Sequence, residues 1–344
     1  MEFYETVIVG AGPAGLTCAE VLGKGNKEVL VLEKGNVIGN KICAGGMSTK
    51  DLRLPKKIIQ RKFNGIVLNT ARQRVEVNTK SPFLMTVNRG DLGKFMATKV
   101  RKVGVEIRTK SRVTKIEKNC LTVNDTQKIK FKNLIGADGP TSIVRTKLGL
   151  PTKRAHLAFQ YIVPKKFKTL EIFFDFKKFG AMYAWIFPHK SETSIGSGYC
   201  LCNDAGLTKF GMTPKLMKEN FDQWFKEQYD GRARFEAGLI NYDYRGHDFG
   251  NRFLIGEAAG LVSGFTGEGI FFAIESGKDV AERIITGKQT YSRIKHLMWI
   301  KGAHERLLRA VGKNNLVSKV LVGSAPLLLR WPFLGKKILR KMVY

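Results

Sequence analysis

The stretch Gly10-Ala11-Gly12-Pro13-Ala14-Gly15 constrains this fold more than any other part of the chain. The apolar run Val7 to Val9 leads into it, and Leu16, Ala19, Val21 and Leu22 follow at the spacing of a helix with one buried face. A second apolar run, Val29 to Leu32, ends at Glu33. This order predicts a βαβ unit whose glycine-rich turn opens the helix. Gly10 permits the tight turn, Gly12 lets the backbone approach a pyrophosphate, and Gly15 lets helix and strand pack closely. The helix N-terminus supplies amide donors and the positive end of its dipole. Glu33 is placed to accept from ribose hydroxyls. The glycines alone are a weak sign. The strand before them, the helix after them and the acid closing the next strand make them specific for a dinucleotide.

Downstream, residues Leu68 to Met85 alternate as short strands do, and Asp91 to Val103 returns to helical spacing. Val105 to Ile107, Val113 to Ile116 and Cys120 to Val123 read as strands, and a further strand ends in "NLIGADGPTSIVR". There Asp138-Gly139 closes the strand with Arg145 one turn beyond. Taken alone, that element is equally a turn with an aspartate cap. The stretch from about Ala155 to Tyr244 is strand-rich. Then "NRFLIGEAAGLVSGFTGEGIFFAIESG" is a strand, a glycine-rich loop and a long helix, with Gly256-Glu257 at the strand end and Gly267, Gly269 and Ile270 at the helix start. From about Tyr291 the chain is helical. The expected domains are a discontinuous nucleotide domain (1–67, 86–150 and 250–288), a substrate-binding sheet domain (68–85 and 151–249) and a helical segment (289–344).

Within the middle part, "GAMYAWIFP" sets Tyr183, Trp185 and Phe187 at alternating positions, so in a strand the three rings share one face. A core strand packed on a helix would show the same pattern.

With 59 Lys and Arg against 29 Asp and Glu in 344 residues, the formal charge is +30. Nucleic acid and an anionic membrane surface both suit such an excess. Zinc-finger spacing, RNP-type aromatics and basic-region heptads are missing, which favours the membrane over nucleic acid. The uncharged stretches, such as Val320 to Leu329, fall well short of the roughly 20 apolar residues that span a bilayer. No secretion signal precedes the first strand. The expected location is therefore cytoplasmic and peripheral, on the cytoplasmic membrane face. Beyond about Ser324, "APLLLRWPFLGKKILRKMVY" mixes Leu, Trp and Phe with Arg and Lys, as an interfacial anchor does. The five cysteines, Cys18, Cys43, Cys120, Cys200 and Cys202, form no C-x-x-C pair, which argues against a disulfide framework and against a metal site.

Taken together, these motifs resemble the FAD-dependent oxidoreductases with the aromatic-hydroxylase type of fold, and within them the geranylgeranyl reductases. The general FAD motifs are Gly10 to Gly15 with Glu33, the Asp138-Gly139 element and the Gly256 to Gly260 element. More specific are "KICAGGMS", "SGFTGEGI" and "GAMYAWIFP", the last matching the family's P-x-x-Y-x-W-x-F-P pattern with Gly180 in the place of its first proline. Glu257 stands where Asp is usual. The resemblance implies a mixed α/β chain: a Rossmann-type FAD-binding domain interleaved with an antiparallel-sheet substrate domain, plus a short helical C-terminal segment. It implies cofactor contacts from Gly10, Gly12, Ala14, Gly15, Glu33, Lys34, Cys43, Ala44, Gly45, Arg89, Asp138, Gly139, Gly256, Glu257, Gly267, Gly269 and Ile270. Substrate contacts would come from Tyr183, Trp185, Phe187, Gly45 and Gly46.

The implied reaction saturates C=C bonds of a geranylgeranyl or other prenyl chain on a membrane lipid or a prenyl diphosphate, by hydride from reduced FAD plus a proton. An unactivated alkene is a poor hydride acceptor, so the proton must arrive early, and aromatic faces can stabilise the cationic carbon. Cys43 and Tyr183 are the candidate catalytic residues. A single dinucleotide fingerprint leaves the electron donor open: NADPH, a ferredoxin or another reduced carrier. The expected protein is a monomer whose partners are the prenyl lipid and an anionic membrane surface, not nucleic acid. A flavin-dependent monooxygenase or halogenase of the same fold is the alternative enzyme, and a non-catalytic binder would account for the charge alone.

Overall fold

The computed structural model describes residues 1–49, 54–202 and 212–313. Its elements run β1 (Glu2–Val9), α1 (Pro13–Lys24), β2 (Val29–Leu32), β3 (Gly46–Ser48), β4 (Ile59–Phe63), β5 (Gly65–Thr70), β6 (Arg74–Asn78) and β7 (Leu84–Val87). After α2 (Arg89–Lys102) come β8 (Glu106–Arg108), β9 (Val113–Ile116), β10 (Cys120–Val123), β11 (Gln127–Gly136) and α3 (Ile143–Lys147). The middle holds β12 (Ala155–Val163), β13 (Glu171–Phe174), the single turn α4 (Phe176–Phe179), β14 (Ala184–Pro188), β15 (Thr193–Cys200), α5 (Pro214–Gln228) and β16 (Arg234–Asn241). The last part is β17 (Arg252–Leu254), a 3-10 turn over Gly256–Ala259, α6 (Ile270–Thr286) and α7 (Ser292–Lys313).

The chain forms two compact units. The first comprises Met1–Lys41, Arg89–Lys153 and Ile240–Gly302; the second comprises Ile42–Asn88, Arg154–Leu239 and the chain from Ala303. The first boundary lies at residue 41 rather than near 67, because β3 and β4 both pair with β7, and β5 pairs with β13. Those partners are distant in sequence, so no local pattern marks the change of unit.

In the first unit, β8, β2, β1 and β11 lie in that order and pair in parallel, with β17 also parallel to β11 and β10 and β9 antiparallel beyond it. All four residues of β2, Val29 to Leu32, are buried, as a strand covered on both faces requires. Helix α1 meets α6 and the 3-10 turn through glycines: a Cβ on Gly277 of α6 would lie 2.6 Å from the Ala14 carbonyl oxygen, and one on Gly256 of the turn 2.9 Å from the Ala14 methyl. Arg145 and Asp243 form a buried ion pair, with side chains 2% and 1% exposed. The Arg145 guanidinium also donates to the carbonyls of Leu150, Pro151, Asp243 and Ala258, so three chain segments close on one charge.

The second unit is built on a seven-stranded sheet of order β16-β12-β15-β14-β13-β5-β6, beside a three-stranded sheet β3-β7-β4. Strand alternation sorts its side chains onto two faces. On one face Phe159, Ala184, Ile186 and Ile195 pack against Met217, Phe221, Trp224 and Phe225 of α5. Each of those large apolar side chains contributes about 1.5–3 kcal/mol by leaving water. Thr213 caps α5, its hydroxyl accepting from the Leu216 amide at 3.1 Å, and Pro214 takes the first helical position. On the opposite face Ile66, Leu68, Val75, Val77 and Ile172 form a second apolar cluster, with Phe174, Tyr183, Trp185 and Phe187 half-buried against it.

Candidate cofactor site and substrate face

The cofactor motifs all lie in the first unit except Cys43, Ala44 and Gly45. Gly10 has φ +104°, and a Cβ there would sit 2.5 Å from the Ala137 carbonyl oxygen. A Cβ on Gly15 would meet the Gly10 carbonyl oxygen at 2.1 Å. These two glycines are demanded by the fold itself. Gly12 is different: its φ and ψ are −79° and 179°, open to any residue, and a Cβ would find nothing nearer than the Ala137 carbonyl oxygen at 4.0 Å. The space beside Gly12 is therefore kept free for something other than protein. Gly12 is also the N-cap of α1 and makes no side-chain cap, so the first-turn amides, including that of Ala14, point outward without intrahelical partners.

Glu33 sits at the end of β2, where its carboxylate accepts from the Ala11 amide at 2.9 Å and the Gly35 amide at 2.8 Å. These two bonds hold the acid across the glycine turn and leave lone pairs for ribose hydroxyls. Asp138 closes β11. One carboxylate oxygen accepts from the Ile143 amide at 2.7 Å, while the other is buried with no hydrogen-bond partner. Burial raises its pKa above the usual aspartate range, against the pull of the Ser142 and Ile143 hydrogen bonds and the charge of Lys34. Arg89, at the start of α2, likewise has a buried Nε without a partner. Orphaned buried polar atoms are costly in a finished site and expected in one that awaits a ligand. Gly139, Gly256 and Gly267 all have positive φ, and Gly269 is the N-cap of α6, ahead of Ile270. Glu257 has its carboxylate occupied by the chain: it accepts from the Asn241 amide at 3.1 Å and pairs with Lys41. The longer side chain at this position thus reaches two protein partners. In sum, the open space at Gly12, the unpartnered first-turn amides and the orphaned atoms of Asp138 and Arg89 fit FAD.

In the second unit the rings of Phe174, Tyr183, Trp185 and Phe187 form a row, with successive centroids 6.0, 6.2 and 6.4 Å apart. Two glycines let the rings sit close to the backbone, Gly196 on the neighbouring strand β15 and Gly46 on β3 of the three-stranded sheet. A Cβ on Gly196 would be 2.3 Å from the Trp185 ring, and one on Gly46 2.5 Å from the Phe187 ring. Gly46 thus serves as a bed for Phe187. The approach to β14 departs from the family pattern for a backbone reason: Gly180 has φ +57° and ψ −137°, which a proline ring cannot adopt.

Cys43 is half-buried, and its Sγ accepts from the Gly45 amide at 3.4 Å. The rest of its loop is pinned. The Ala44 carbonyl accepts from His189 Nε2 at 2.9 Å, the Gly45 carbonyl accepts from the Val87 amide at 2.9 Å, and Gly45 has φ +77°. Burial lowers the His189 pKa, so the ring is neutral at physiological pH, with the donating proton on Nε2. Sequence reasoning missed His189, although it stands directly after the aromatic run. It also missed Gln160, Ser194 and Glu236, which strand register brings to the aromatic strand. Cys18 is fully buried, and burial pushes its thiol up. Among the described residues no group of His, Cys, Asp and Glu could hold a metal, and no helix is long and apolar enough to cross a membrane. The expected anchor beyond Ser324 lies outside the described residues.

Known proteins agree with this geometry. The sequence matches the FAD binding domain family over residues 4–191. A geranylgeranyl diphosphate reductase of Rhodobacter capsulatus is 26% identical over 300 residues, covering 81% of this chain and 74% of that protein. A digeranylgeranylglycerophospholipid reductase of Methanococcus vannielii is 25% identical over 352 residues, covering 92% and 89%. Among solved structures, a geranylgeranyl bacteriochlorophyll reductase-like protein of Thermoplasma acidophilum superposes with a TM-score of 0.75 at 18% identity, over 99% of this chain and 100% of that one. The flavin-dependent brominase Bmp2 has the same fold, with a TM-score of 0.69 at 16% identity over 99% and 93%. The chain therefore belongs to the FAD binding domain family and is an FAD-dependent oxidoreductase, related in sequence to the geranylgeranyl reductases.

Proposed function

We propose that this protein reduces isolated C=C bonds in a prenyl chain carried on a membrane lipid or a diphosphate. The observation that carries the reading is the row Phe174, Tyr183, Trp185 and Phe187: four rings spaced for an extended hydrocarbon, half-buried on a sheet whose other face is closed by α5. The names of the sequence relatives support the same substrate class. Bound FAD supplies the hydride. The ring faces supply negative quadrupole toward carbon as it becomes cationic. Cys43 is the proposed proton donor, since its thiol is partly accessible and held by the Gly45 amide; Tyr183 is the second candidate.

The proposed location is a membrane surface, with the basic excess facing anionic lipid. Helix α7 supports this: Trp299 is 64% exposed and stacks on His296, with Lys295, Arg306 and Arg309 exposed on the same helix. Desolvating a twenty-carbon chain is worth on the order of 15 kcal/mol, so such a substrate is taken from lipid rather than from solution. NADPH, a ferredoxin or another reduced carrier is the proposed electron source.

Anaerobic incubation with reduced flavin and a panel of prenyl lipids, read by mass spectrometry, tests the reading. A gain of two hydrogens per double bond supports it. A hydroxylated or halogenated product under aerobic conditions, without hydrogenation, would transfer the protein to the monooxygenase or halogenase reading. Cys43→Ala should slow turnover while FAD stays bound, and unchanged turnover would remove Cys43 from the reaction.

A further inference from the structure

A polar chain runs beneath the aromatic row. The Trp185 indole N–H donates to Ser194 Oγ at 2.9 Å, and the Ser194 hydroxyl donates to Gln160 Oε1 at 2.8 Å. Gln160 Nε2 donates to a Glu236 carboxylate oxygen at 2.8 Å and makes a long contact, 3.5 Å, with the Cys43 carbonyl. Arg234 donates to the other Glu236 oxygen at 3.0 Å. Gln160 and Ser194 are 2% and 1% exposed, whereas the Glu236 side chain is 23% exposed.

The chain has one direction. A carboxylate only accepts, so the Gln160 amide must turn its NH2 toward Glu236 and its oxygen toward Ser194. Ser194 then donates to Gln160 and offers its lone pairs to Trp185. Each donor meets an acceptor, and the charge at the Glu236 end polarises the bonds behind it. Reversing the amide would set oxygen against carboxylate and leave the serine proton without its acceptor. The indole is therefore fixed at its N–H edge, while its ring lies over Gly196.

We infer that Gln160 is a positioning residue for the substrate chain: through Ser194 it locks the Trp185 ring in the row, and through the Cys43 carbonyl it ties that ring to the cysteine loop. This rests on the prenyl reading of the row. Gln160 touches no reacting atom in this scheme and acts through Trp185.

Two substitutions on the full-length holoprotein test it. Gln160→Met keeps the volume and removes the relay. Gln160→Glu restores the relay only when its new carboxyl is protonated, because then it donates to Glu236 and accepts from Ser194. The first readout needs no substrate: the indole N–H resonance of Trp185, assigned by its loss in Trp185→Phe. It should move upfield in Gln160→Met, and in Gln160→Glu it should return toward the wild-type position as the pH falls from 8 to 5.5. The second is kinetic: KM for the prenyl lipid should rise about fivefold to tenfold in Gln160→Met with kcat changed less than twofold, and Gln160→Glu should recover at low pH. An indole resonance identical in wild type and Gln160→Met overturns the proposal. A shifted resonance with unchanged KM overturns the link to substrate. If wild-type protein reduces no prenyl lipid, the prenyl reading fails, and the resonance still decides whether Gln160 holds Trp185.

Discussion

Gly12→Ala separates what the fold demands from what the cofactor demands. The φ and ψ of Gly12, −79° and 179°, suit alanine, and the new methyl would lie 4.0 Å from its nearest neighbour, the Ala137 carbonyl oxygen. Alanine also narrows the unfolded ensemble, which stabilises a compatible site by about 0.4–1 kcal/mol and offsets the poorer N-cap that alanine makes at the start of α1. The flavin-free variant should therefore melt close to the wild-type temperature. With FAD a loss appears, since the methyl fills the space through which the pyrophosphate approaches the first-turn amides of α1. Overpacking costs about 1–3 kcal/mol, which corresponds to roughly 5- to 160-fold weaker binding. Flavin fluorescence titration of the deflavinated protein gives the affinity, and a thermal melt of the same sample gives the stability. Gly15→Ala is the contrast: its methyl would meet the Gly10 carbonyl oxygen at 2.1 Å, so flavin-free stability falls together with binding. If Gly12→Ala binds FAD as tightly as wild type, the cofactor does not pass beside Gly12 and the assignment of this turn is wrong.

Three further outcomes follow. Asp138 has a raised pKa in the folded state, so its protonated form stabilises the fold below the ordinary aspartate value of about 3.9, and that contribution is lost as the pH rises through the higher folded value. In flavin-free protein, Asp138→Asn should match wild type near pH 4 and melt at a higher temperature by pH 8; parallel melting curves across that range would refute a neutral-favouring site. Arg145→Ala leaves the buried Asp243 carboxylate with Arg245, which donates to it at 3.0 Å, but removes donors from four carbonyls, so it should cost about 3 kcal/mol in a denaturant titration. A loss below about 1 kcal/mol would mean that water replaces the guanidinium. Trp299→Ala should weaken flotation with anionic liposomes while FAD content is unchanged, and equal flotation would place the lipid contact elsewhere.

The first βαβ unit was legible because everything it needs is local: an apolar strand, a turn only glycine can make, and an acid at the next strand end. Strands β9 and β10 were legible for the same reason, being short runs rich in β-branched and apolar residues bounded by polar turns. Helix α5 was hidden inside a stretch read as strand-rich, although Met217, Phe221, Trp224 and Phe225 follow helical spacing and Thr213-Pro214 is a helix start. The aromatic residues between Phe159 and Phe187 weighted that reading toward strand. Gly180 shows a different limit. Its replacement of a proline looks neutral in sequence, yet the backbone there has positive φ. Gln160 and Glu236 were beyond reach for a topological reason. They are 25 and 51 residues from Trp185, and only the pairing of β12 with β15 and of β15 with β14 brings Gln160 beneath the indole.

The glycines of this chain do two opposite jobs, and the contrast explains why a nucleotide-binding protein carries an aromatic wall. At Gly12 the missing side chain leaves room for a ligand, whereas at Gly196 and Gly46 it leaves room for the protein's own rings. The row, its successive rings inclined by 55° to 61°, offers a hydrocarbon apolar contact and almost no directional bonding. For the proposed substrate, a prenyl chain drawn from lipid, that contact would replace one apolar environment with another and so contribute little net affinity. What the wall can control is position, because successive double bonds of an isoprenoid are chemically alike and differ chiefly in where they come to rest. Selection among them then depends on how rigidly the rings are held. In this row the rigidity comes from polar atoms placed behind it: Ser194 and Gln160 fix the indole, and His189 fixes the loop that carries Cys43. Loosening those anchors should therefore blur which double bonds are reduced before it abolishes reduction, and the product distribution of Gln160→Met against wild type is where that difference would appear.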